Sequence, residues 1–401
     1  MENNKNFCIK PYNSVRVSTT GDIKICCKIR PEWSKFNGKK TFNIKQNSIK
    51  EFWDSEYRKY VKDMFSAGDV PYECTRCLRD EEQDIKSERQ YANQHYGIIG
   101  NKPSEYYLEK LGKENLVHPE DYNLDITNLC NLKCQMCTGM SSSKLLIENN
   151  ALGLEKLDQK DYDVSDETLH KLISDIVENN VTHMTLQGGE PLMNPKIILL
   201  LQKLSLKDMA SSLSVWITTN GTQHTERLHD VLSKFKEVKL IFSIDGVGKT
   251  SDYVRYPSNW ADIERNVKKF QNLSNATHQI SFTVQNLNVL DVANIISFSK
   301  KYKIHLKLSM LYAPEYLQLH VLSKKLLKKA LDNLKTIDNT DTIHVTNFNG
   351  IKQKIHLALK AKESISDELE LFKDIIRKRD SYRKIHIKNY LPLIAEDLNI
   401  S

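Results

Sequence analysis

The sequence has no long apolar run. Its longest purely apolar stretch is "IILLL" from Ile197, about five residues, whereas a helix needs about 20 to cross a bilayer. The opening "MENNKNFCIK" contains no apolar segment of the kind that directs secretion. From these two features we expect neither a membrane span nor a secretory signal, and we expect a cytoplasmic protein without a membrane partner.

Cysteine is absent after residue 137. The chain has 8 cysteines in 401 residues, and they form three groups at the N-terminal side: Cys8 with Cys26 and Cys27, Cys74 with Cys77, and Cys130 with Cys134 and Cys137. Clustered cysteines in a reducing compartment are more often metal ligands or catalytic groups than disulfides. The segregation therefore predicts metal binding in the first third of the chain.

No strong excess of charge is present. The net charge of +7 is modest for 401 residues, and the lysine clusters recur at helical spacing between leucines, as on a solvated helix face. Nucleic acid is therefore not an expected partner. With 40% hydrophobic and 27% charged residues, the chain should be globular.

From about residue 121, short β-branched runs alternate with amphipathic helical stretches. Such strand–helix units predict an α/β fold with a parallel sheet, and six of them suit an open, partial (βα)6 TIM-like barrel. The predicted strands are "NLDITNL" from Asn123, "VTHMTLQ" from Val181, "LSVWITT" from Leu213, "VKLIFSID" from Val238, "QISFTVQ" from Gln279 and "IHLKLSML" from Ile304.

The segments around this core differ in composition. Residues 1–100 are polar and turn-rich, with strands "SVRVST" and "DIKICCKI" joined by Thr20-Gly21-Asp22 as a hairpin. A charged linker is expected at 101–120, the barrel at 121–322 and a basic, helical extension at 323–401. A small N-terminal domain with a thin core would gain stability from a bound metal.

The three cysteines of "CNLKCQMC", residues 130–137, directly follow the first barrel strand. A structural zinc site needs four ligands, whereas a cubane cluster held by three thiolates keeps one iron open. Together with "QGGEP" (Gln187 to Pro191), "TTNG" (Thr218 to Gly221) and "FSIDG" at the later strand ends, this CxxxCxxC loop resembles the radical S-adenosylmethionine (radical SAM) superfamily over residues 118–320.

This resemblance implies a catalytic 4Fe–4S cluster on Cys130, Cys134 and Cys137, with SAM as the ligand of the open iron. Reductive cleavage of SAM would give a 5′-deoxyadenosyl radical that abstracts hydrogen from a substrate, and a peptide or protein is the expected substrate class. The expected electron donor is of the flavodoxin or ferredoxin type. The residues expected to contact SAM are Gly188, Gly189, Glu190, Pro191, Asn220, Ser243 and Asp245.

A second metal site is expected in the first hundred residues. Cys8, Cys26, Cys74 and Cys77 could form a zinc ribbon, since four cysteines are a standard zinc site. The pattern is also similar to the twitch domain, a shorter relative of the SPASM domain, which implies an auxiliary 4Fe–4S cluster. Adjacent strand residues point to opposite faces, so Cys26 and Cys27 are not both expected to reach one centre. Cys27 is the expected spare thiol, because Cys26 fits the Gly-x4-Cys spacing from Gly21.

Two other function classes are compatible with the cysteines alone. One is a zinc- or iron–sulfur-binding module that recognises protein or nucleic acid, and the other is an electron carrier without SAM chemistry. Neither needs a Gly-Gly-Glu-Pro turn after the second barrel strand, so the enzyme hypothesis is favoured. The sequence does not specify the substrate.

Overall fold

The structure is a computed structural model that describes residues 6–29, 42–82, 85–98, 117–155, 163–337, 342–360 and 366–400. Its backbone forms two compact units, each made of several stretches of chain. The first unit comprises Met1–Thr127, Tyr162–Ile217 and Lys234–Val238. The second comprises Asn128–Asp161, Thr218–Ser233 and Lys239–Ser401.

Strands and helices alternate along most of the described chain. The strands are β1 (Ser14–Val17), β2 (Ile23–Lys24), β3 (Asp121–Leu124), β4 (His183–Leu186), β5 (Ser214–Thr219), β6 (Glu237–Ser243), β7 (Ala276–Val284), β8 (His305–Met310) and β9 (Val345–Thr346). The α-helices are α1 (Lys10–Asn13), α2 (Ile49–Trp53), α3 (Glu56–Ser66), α4 (Thr75–Glu81), α5 (Glu88–His95), α6 (Ser143–Ala151), α7 (Asp166–Glu178), α8 (Pro195–Ser205), α9 (Glu226–Leu232), α10 (Lys249–Val254), α11 (Trp260–Phe270), α12 (Val292–Tyr302), α13 (Lys324–Lys335), α14 (Phe348–Lys360), α15 (Ser366–Arg383) and α16 (Pro392–Asp397).

The sheet of the first unit has the strand order β2-β1-β3-β4-β5. The predicted hairpin is present, since β1 and β2 pair antiparallel with Arg16 opposite Lys24. β1 also pairs in parallel with β3, Ser14 opposite Asp121, and β3, β4 and β5 continue in parallel. The N-terminal hairpin therefore extends the parallel sheet, a pairing that the sequence did not predict.

In the second unit the order is β6-β7-β8-β9. β7 and β8 pair in parallel from Gln279–His305 to Val284–Met310. β9 then pairs with β8, Val345 opposite Leu306. The extension at 323–401 is mostly helical, as predicted. It also contains one short strand, because the β-branched pair Val345-Thr346 joins the edge of β8.

Local sequence explains where the helices begin. The hydroxyl of Ser165 accepts the N–H of Thr168 at 3.1 Å and caps α7, whose buried Leu169, Leu172 and Ile176 share one face. All six predicted barrel strands are present, and the α/β class with parallel strands is confirmed. No helix in the described ranges is both long and apolar enough to cross a membrane.

Candidate functional site: two cysteine centres

Four cysteines of the N-terminal segment line one pocket in the first unit. They are Cys8, Cys26, Cys74 and Cys77, the set predicted from the spacing. Cys27 is exposed and does not line this pocket. The pocket therefore offers four sulfur donors and leaves the neighbouring thiol outside.

Different elements bring these sulfurs to the pocket. Cys8 lies just before α1, Cys26 follows β2, and Cys74 and Cys77 are three residues apart where α4 begins, so that they share a helical face. Helix α5 fixes the segment that carries Cys8, since Arg89 Nη1 and Asn93 Nδ2 donate to the carbonyl of Phe7 at 2.9 and 2.8 Å.

The donor set fits a soft metal centre. Burial raises the pKa of the thiols of Cys8, Cys26, Cys74 and Cys77, and neighbouring thiols raise it further. Four thiolates in such a place are unfavourable unless a cationic centre compensates them, which iron or zinc does. Within the described residues, no group of three or more His, Cys, Asp or Glu side chains is arranged to hold a single metal ion.

The second centre is the loop that carries Cys130, Cys134 and Cys137. Cys130 and Cys134 are buried, and they pack into one cluster with Leu132, Met136 and Cys137. Backbone hydrogen bonds hold the loop: the N–H groups of residues 133 and 135 donate to the carbonyls of residues 256 and 254 at 2.6 and 2.8 Å. Three sulfurs are thus held in a mostly apolar environment, which suits a cubane cluster with one open iron.

Three hydrogen-bond donors lie near two sulfurs of this otherwise apolar loop, those of Cys130 and Cys134. The N–H of Leu132 lies 3.4 Å from Cys130 Sγ, Asn220 Nδ2 lies 4.0 Å from the same atom, and Arg255 Nη1 lies 3.8 Å from Cys134 Sγ. A hydrogen bond from Cys137 lowers the pKa of Cys134, and Arg255 lowers it further. Such donors stabilise thiolate, the form that binds metal.

Asn220 is the predicted cofactor residue that the structure places beside the loop. Its Nδ2 also donates to Asn131 Oδ1 at 2.9 Å, and its Oδ1 accepts from the N–H and hydroxyl of Thr222 at 2.9 and 2.7 Å. The amide therefore ties the end of β5 to the cysteine loop.

Asp245 follows β6 and is fully buried. Its Oδ2 accepts from Arg255 Nε and Nη2 at 2.7 and 2.6 Å, and its Oδ1 accepts the N–H of Thr283 at 2.6 Å. Burial alone would lower the pKa of Arg255, but Asp245 and the nearby cysteines outweigh it and raise that pKa. Ser243, at the end of β6, is half-buried.

Arg255 was not predicted as a site residue. It lies in "YVRYP", which contains no recognised motif, and its role is visible only from its two contacts, the carboxylate of Asp245 and the sulfur of Cys134. Arg255 lies ten residues after Asp245 in the sequence, but basic residues near acidic ones are too common for this proximity to indicate a site.

The Gly-Gly-Glu-Pro turn lies in the first unit, directly after β4. Gly188 and Gly189 have φ of 84° and 53°, and a Cβ on Gly188 would lie 3.0 Å from the carbonyl oxygen of Thr127. Glu190 is fully buried, and its Oε1 accepts the N–H of Leu192 at 3.1 Å in the turn opened by Pro191. Only glycine suits this close approach, and the turn holds a carboxylate away from bulk water.

Comparison with known proteins identifies two domains. The radical SAM superfamily model matches residues 124–299, and the SPASM model, an iron–sulfur cluster-binding domain, matches residues 8–78. The radical SAM match contains the three-cysteine loop and strands β4 to β7, and the SPASM match contains the four N-terminal cysteines. The SPASM match favours iron–sulfur over the zinc ribbon that the spacing had left open.

Relatives with known functions share parts of the chain. GTP 3′,8-cyclase of Rhizobium etli is 24% identical over 182 residues, 44% of this chain and 47% of the relative. GTP 3′,8-cyclase of Rhizobium leguminosarum bv. trifolii is 32% identical over 110 residues, 27% of this chain and 28% of the relative. The matches thus span about half or less of these curated relatives.

Among solved structures, Streptococcus suis SuiB bound to S-adenosylmethionine superimposes with a TM-score of 0.41 and 14% identity, covering 72% of this chain and 61% of SuiB. The radical SAM domain implies a 4Fe–4S cluster and SAM, and the SPASM domain implies an auxiliary iron–sulfur cluster. The chain therefore contains a radical SAM domain at residues 124–299, and a SPASM iron–sulfur domain precedes it at residues 8–78.

Proposed function

We propose that this chain is an enzyme that cleaves SAM reductively and abstracts hydrogen from a second substrate. The observation that carries the proposal is the loop in which Cys130, Cys134 and Cys137 pack together, followed in the chain by the buried Glu190 turn. With cluster and SAM bound, one electron breaks the sulfur–C5′ bond of SAM to give methionine and a 5′-deoxyadenosyl radical that takes a hydrogen atom from the substrate.

The residues of the chain bind and orient these groups. The thiolates of Cys130, Cys134 and Cys137 would hold the cluster, and Gly188 and Gly189 allow the backbone to approach a ligand closely. Glu190 would accept the ammonium of SAM, and Pro191 stiffens the turn. The ion pair that Asp245 makes with Arg255 favours a positioning role for this carboxylate beside Cys134, more than the predicted direct contact with SAM.

The four-cysteine pocket would hold the auxiliary 4Fe–4S cluster. This assignment, and the domain limits 1–100, 101–120, 121–322 and 323–401, are part of the proposal. Support for the ligand set comes from the pocket lining, which includes Cys26 and leaves out Cys27. Electrons would come from a low-potential flavodoxin or ferredoxin in a reducing, cytoplasmic compartment.

For the substrate we propose a peptide or protein. The support is the SPASM domain, whose resemblance suggests modification of peptides and proteins. The curated relatives reported above are GTP 3′,8-cyclases, so GTP is the alternative substrate against which a peptide is tested. A candidate peptide encoded beside the gene should raise 5′-deoxyadenosine formation above the uncoupled rate, and stimulation by GTP alone would instead favour a nucleotide substrate.

The central test is formation of 5′-deoxyadenosine. Anaerobically reconstituted protein with dithionite and SAM should form it slowly without substrate, whereas Cys134→Ala should form none. Cys27→Ser is the matched control, because it removes a cysteine that lies outside both centres, and it should keep the activity. Glu190→Ala should retain iron but bind SAM roughly ten- to a hundredfold more weakly, the value of a charge-assisted hydrogen bond.

One result would contradict the proposal. If wild-type protein with about eight irons per chain neither binds SAM nor forms 5′-deoxyadenosine, the enzyme hypothesis is wrong. An electron carrier or a binding module would then be the better description.

A further inference from the structure

The C-terminal helix α15 has a buried basic face. Phe372 and Ile376 are buried on α15, and the same face continues through Arg379 and Arg383, which are 2% and 5% exposed. Two arginines on the buried face of a helix need specific partners, because an unpaired buried charge is strongly destabilising.

Arg379 binds the middle of the cysteine loop. Its Nη1 donates to the backbone carbonyl and to the side-chain Oε1 of Gln135 at 2.8 and 2.9 Å, and its Nη2 donates to Asn149 Oδ1 at 3.2 Å. Gln135 lies between Cys134 and Cys137, so this arginine fixes the turn that separates two of the cluster ligands.

Arg383 binds the same loop one helical turn later. Its Nε and Nη2 donate to Glu148 Oε1 at 2.9 and 2.6 Å, and Nη2 also donates to the carbonyl of Lys133 at 2.7 Å. Lys133 Nζ lies 2.7 Å from Glu148 Oε2, so Glu148 on α6 joins both cations. Arg383 thus contacts the residue directly before Cys134.

Positive charge exceeds negative charge in this network. Lys133, Arg379 and Arg383 face Glu148 and one further carboxylate, Asp380, which accepts from the hydroxyl of Tyr253 and the N–H of Ile387 at 2.8 and 2.6 Å. The Arg255–Asp245 pair beside Cys134 is neutral as a whole. Arg379 Nε and Arg383 Nη1 are buried without a hydrogen-bond partner among the described residues.

We propose that the basic face of α15 is a buried clamp on the cysteine loop that makes reduction of the cluster bound there more favourable. The inference rests on the proposed function, which places that cluster on Cys130, Cys134 and Cys137. Reduction adds one negative charge to the cluster, and net charge and hydrogen bonding are among the factors that set iron–sulfur potentials. Arg379 and Arg383 are positioning residues in this scheme. They act on the cluster indirectly, through their hydrogen bonds to the cysteine loop and through the electrostatic potential of their positive charges.

The size of the effect follows from Coulomb's law. A unit charge about 10 Å away, at an effective dielectric constant of about 20, changes a one-electron equilibrium constant by roughly tenfold or more. Tenfold corresponds to about 59 mV for a one-electron couple. Neutralising Arg383 should therefore shift the potential to a more negative value by about that amount.

The experiment is a potentiometric titration of reconstituted full-length protein followed by electron paramagnetic resonance. The background is Cys74→Ser with Cys77→Ser, which removes two of the four auxiliary ligands, so that the remaining signal comes from the cluster on the three-cysteine loop. Arg383→Gln should make reduction about tenfold less favourable. Arg377→Gln removes the same charge from an exposed position on α15 and is the matched control, with no change expected.

Two further variants separate charge from structure. Glu148→Gln should shift the potential in the positive direction, and Arg383→Lys should stay close to wild type, because it keeps the charge and loses the planar fork. If the two residues only maintained the structure of the loop, Arg383→Gln and Glu148→Gln would shift the reduction potential in the same direction. That result, or equal potentials for Arg383→Gln and Arg377→Gln, would overturn the proposal.

If Arg383→Gln does not retain its iron, Arg379→Gln takes its place in the titration. Its reduction potential should then be more negative than that of Arg377→Gln, and equal potentials would overturn the proposal. The outcome is also independent of the SAM test. A protein that binds the cluster but does not cleave SAM would contradict the proposed function, while its potentials would still confirm or overturn the clamp.

Discussion

The ion pair between Arg255 and Asp245 offers a sharp energetic test of the cysteine-loop geometry. Asp245 is fully buried, and Oδ2 receives two N–H groups of Arg255 at 2.7 and 2.6 Å. Arg255→Met would leave this carboxylate buried without its cation. Removing one partner of a buried pair costs about 3–5 kcal/mol of unfolding free energy, and we expect a loss in this range.

A double-mutant cycle gives the coupling. Asp245→Asn keeps an oxygen that can accept the N–H of Thr283, but it leaves Arg255 unpaired next to Cys134, so it should also destabilise the protein. The double variant removes both charges and should lose about 1–3 kcal/mol less than the sum of the single variants. Anaerobic urea unfolding followed by circular dichroism measures all four proteins. Additive losses, or a loss below about 1 kcal/mol for Arg255→Met, would refute this account of the pair.

Three other predictions concern separate parts of the chain. Cys26→Ser should lower the iron content from about eight to about four per chain, whereas Cys27→Ser should leave it unchanged; iron analysis showing the reverse would mean that the wrong neighbour was chosen as ligand. Gly188→Ala should destabilise the protein by about 1–3 kcal/mol in urea unfolding, because a φ of 84° is unfavourable for alanine and the new Cβ would approach the carbonyl oxygen of Thr127. An unchanged free energy of unfolding would contradict this close approach. Burial raises the pKa of Asp291 to about 6, so the folded state binds this proton more tightly than the unfolded state and stability falls as pH rises from about 4 to 6. Asp291→Asn should flatten that part of the stability–pH curve by an amount on the order of 3 kcal/mol, and an unchanged slope in thermal unfolding would count against the shift.

Short-range sequence patterns predicted much of this fold correctly. The alternation of β-branched runs and amphipathic helices predicted the six barrel strands, because buried residues recur with a different period in strands and in helices. In β5 and β6, for example, every second residue is buried. The Thr20-Gly21-Asp22 hairpin was also predictable, since its turn chemistry is local. The pairing of β1 with β3 was not, because it joins residues 107 positions apart, Ser14 and Asp121, and nothing local specifies such a partner.

The cysteine centres show the same division. Spacing predicted that Cys8, Cys74 and Cys77 come together with a cysteine of the Cys26-Cys27 pair, because ligand chemistry restricts both residue type and separation, and Cys26 is the one that lines the pocket with them. The surroundings of the sulfurs were not predictable in this way. Arg255 is 121 positions from the cysteine it contacts, and arginine is compatible with so many surface positions that its presence indicates no site.

Helix α15 shows what a closer reading of periodicity could have detected. The lysine clusters between leucines predict a solvated helix face, and that pattern does not single out the arginines of α15. In α15, however, Phe372, Ile376, Arg379 and Arg383 follow one another at steps of four, three and four residues, so the two arginines continue the apolar face and not the exposed one. Charged residues in phase with an apolar stripe are expected to be buried, and buried arginines need acceptors. The carbonyls of Lys133 and Gln135 provide them, and this is why a segment far from the cysteines in sequence becomes part of their environment.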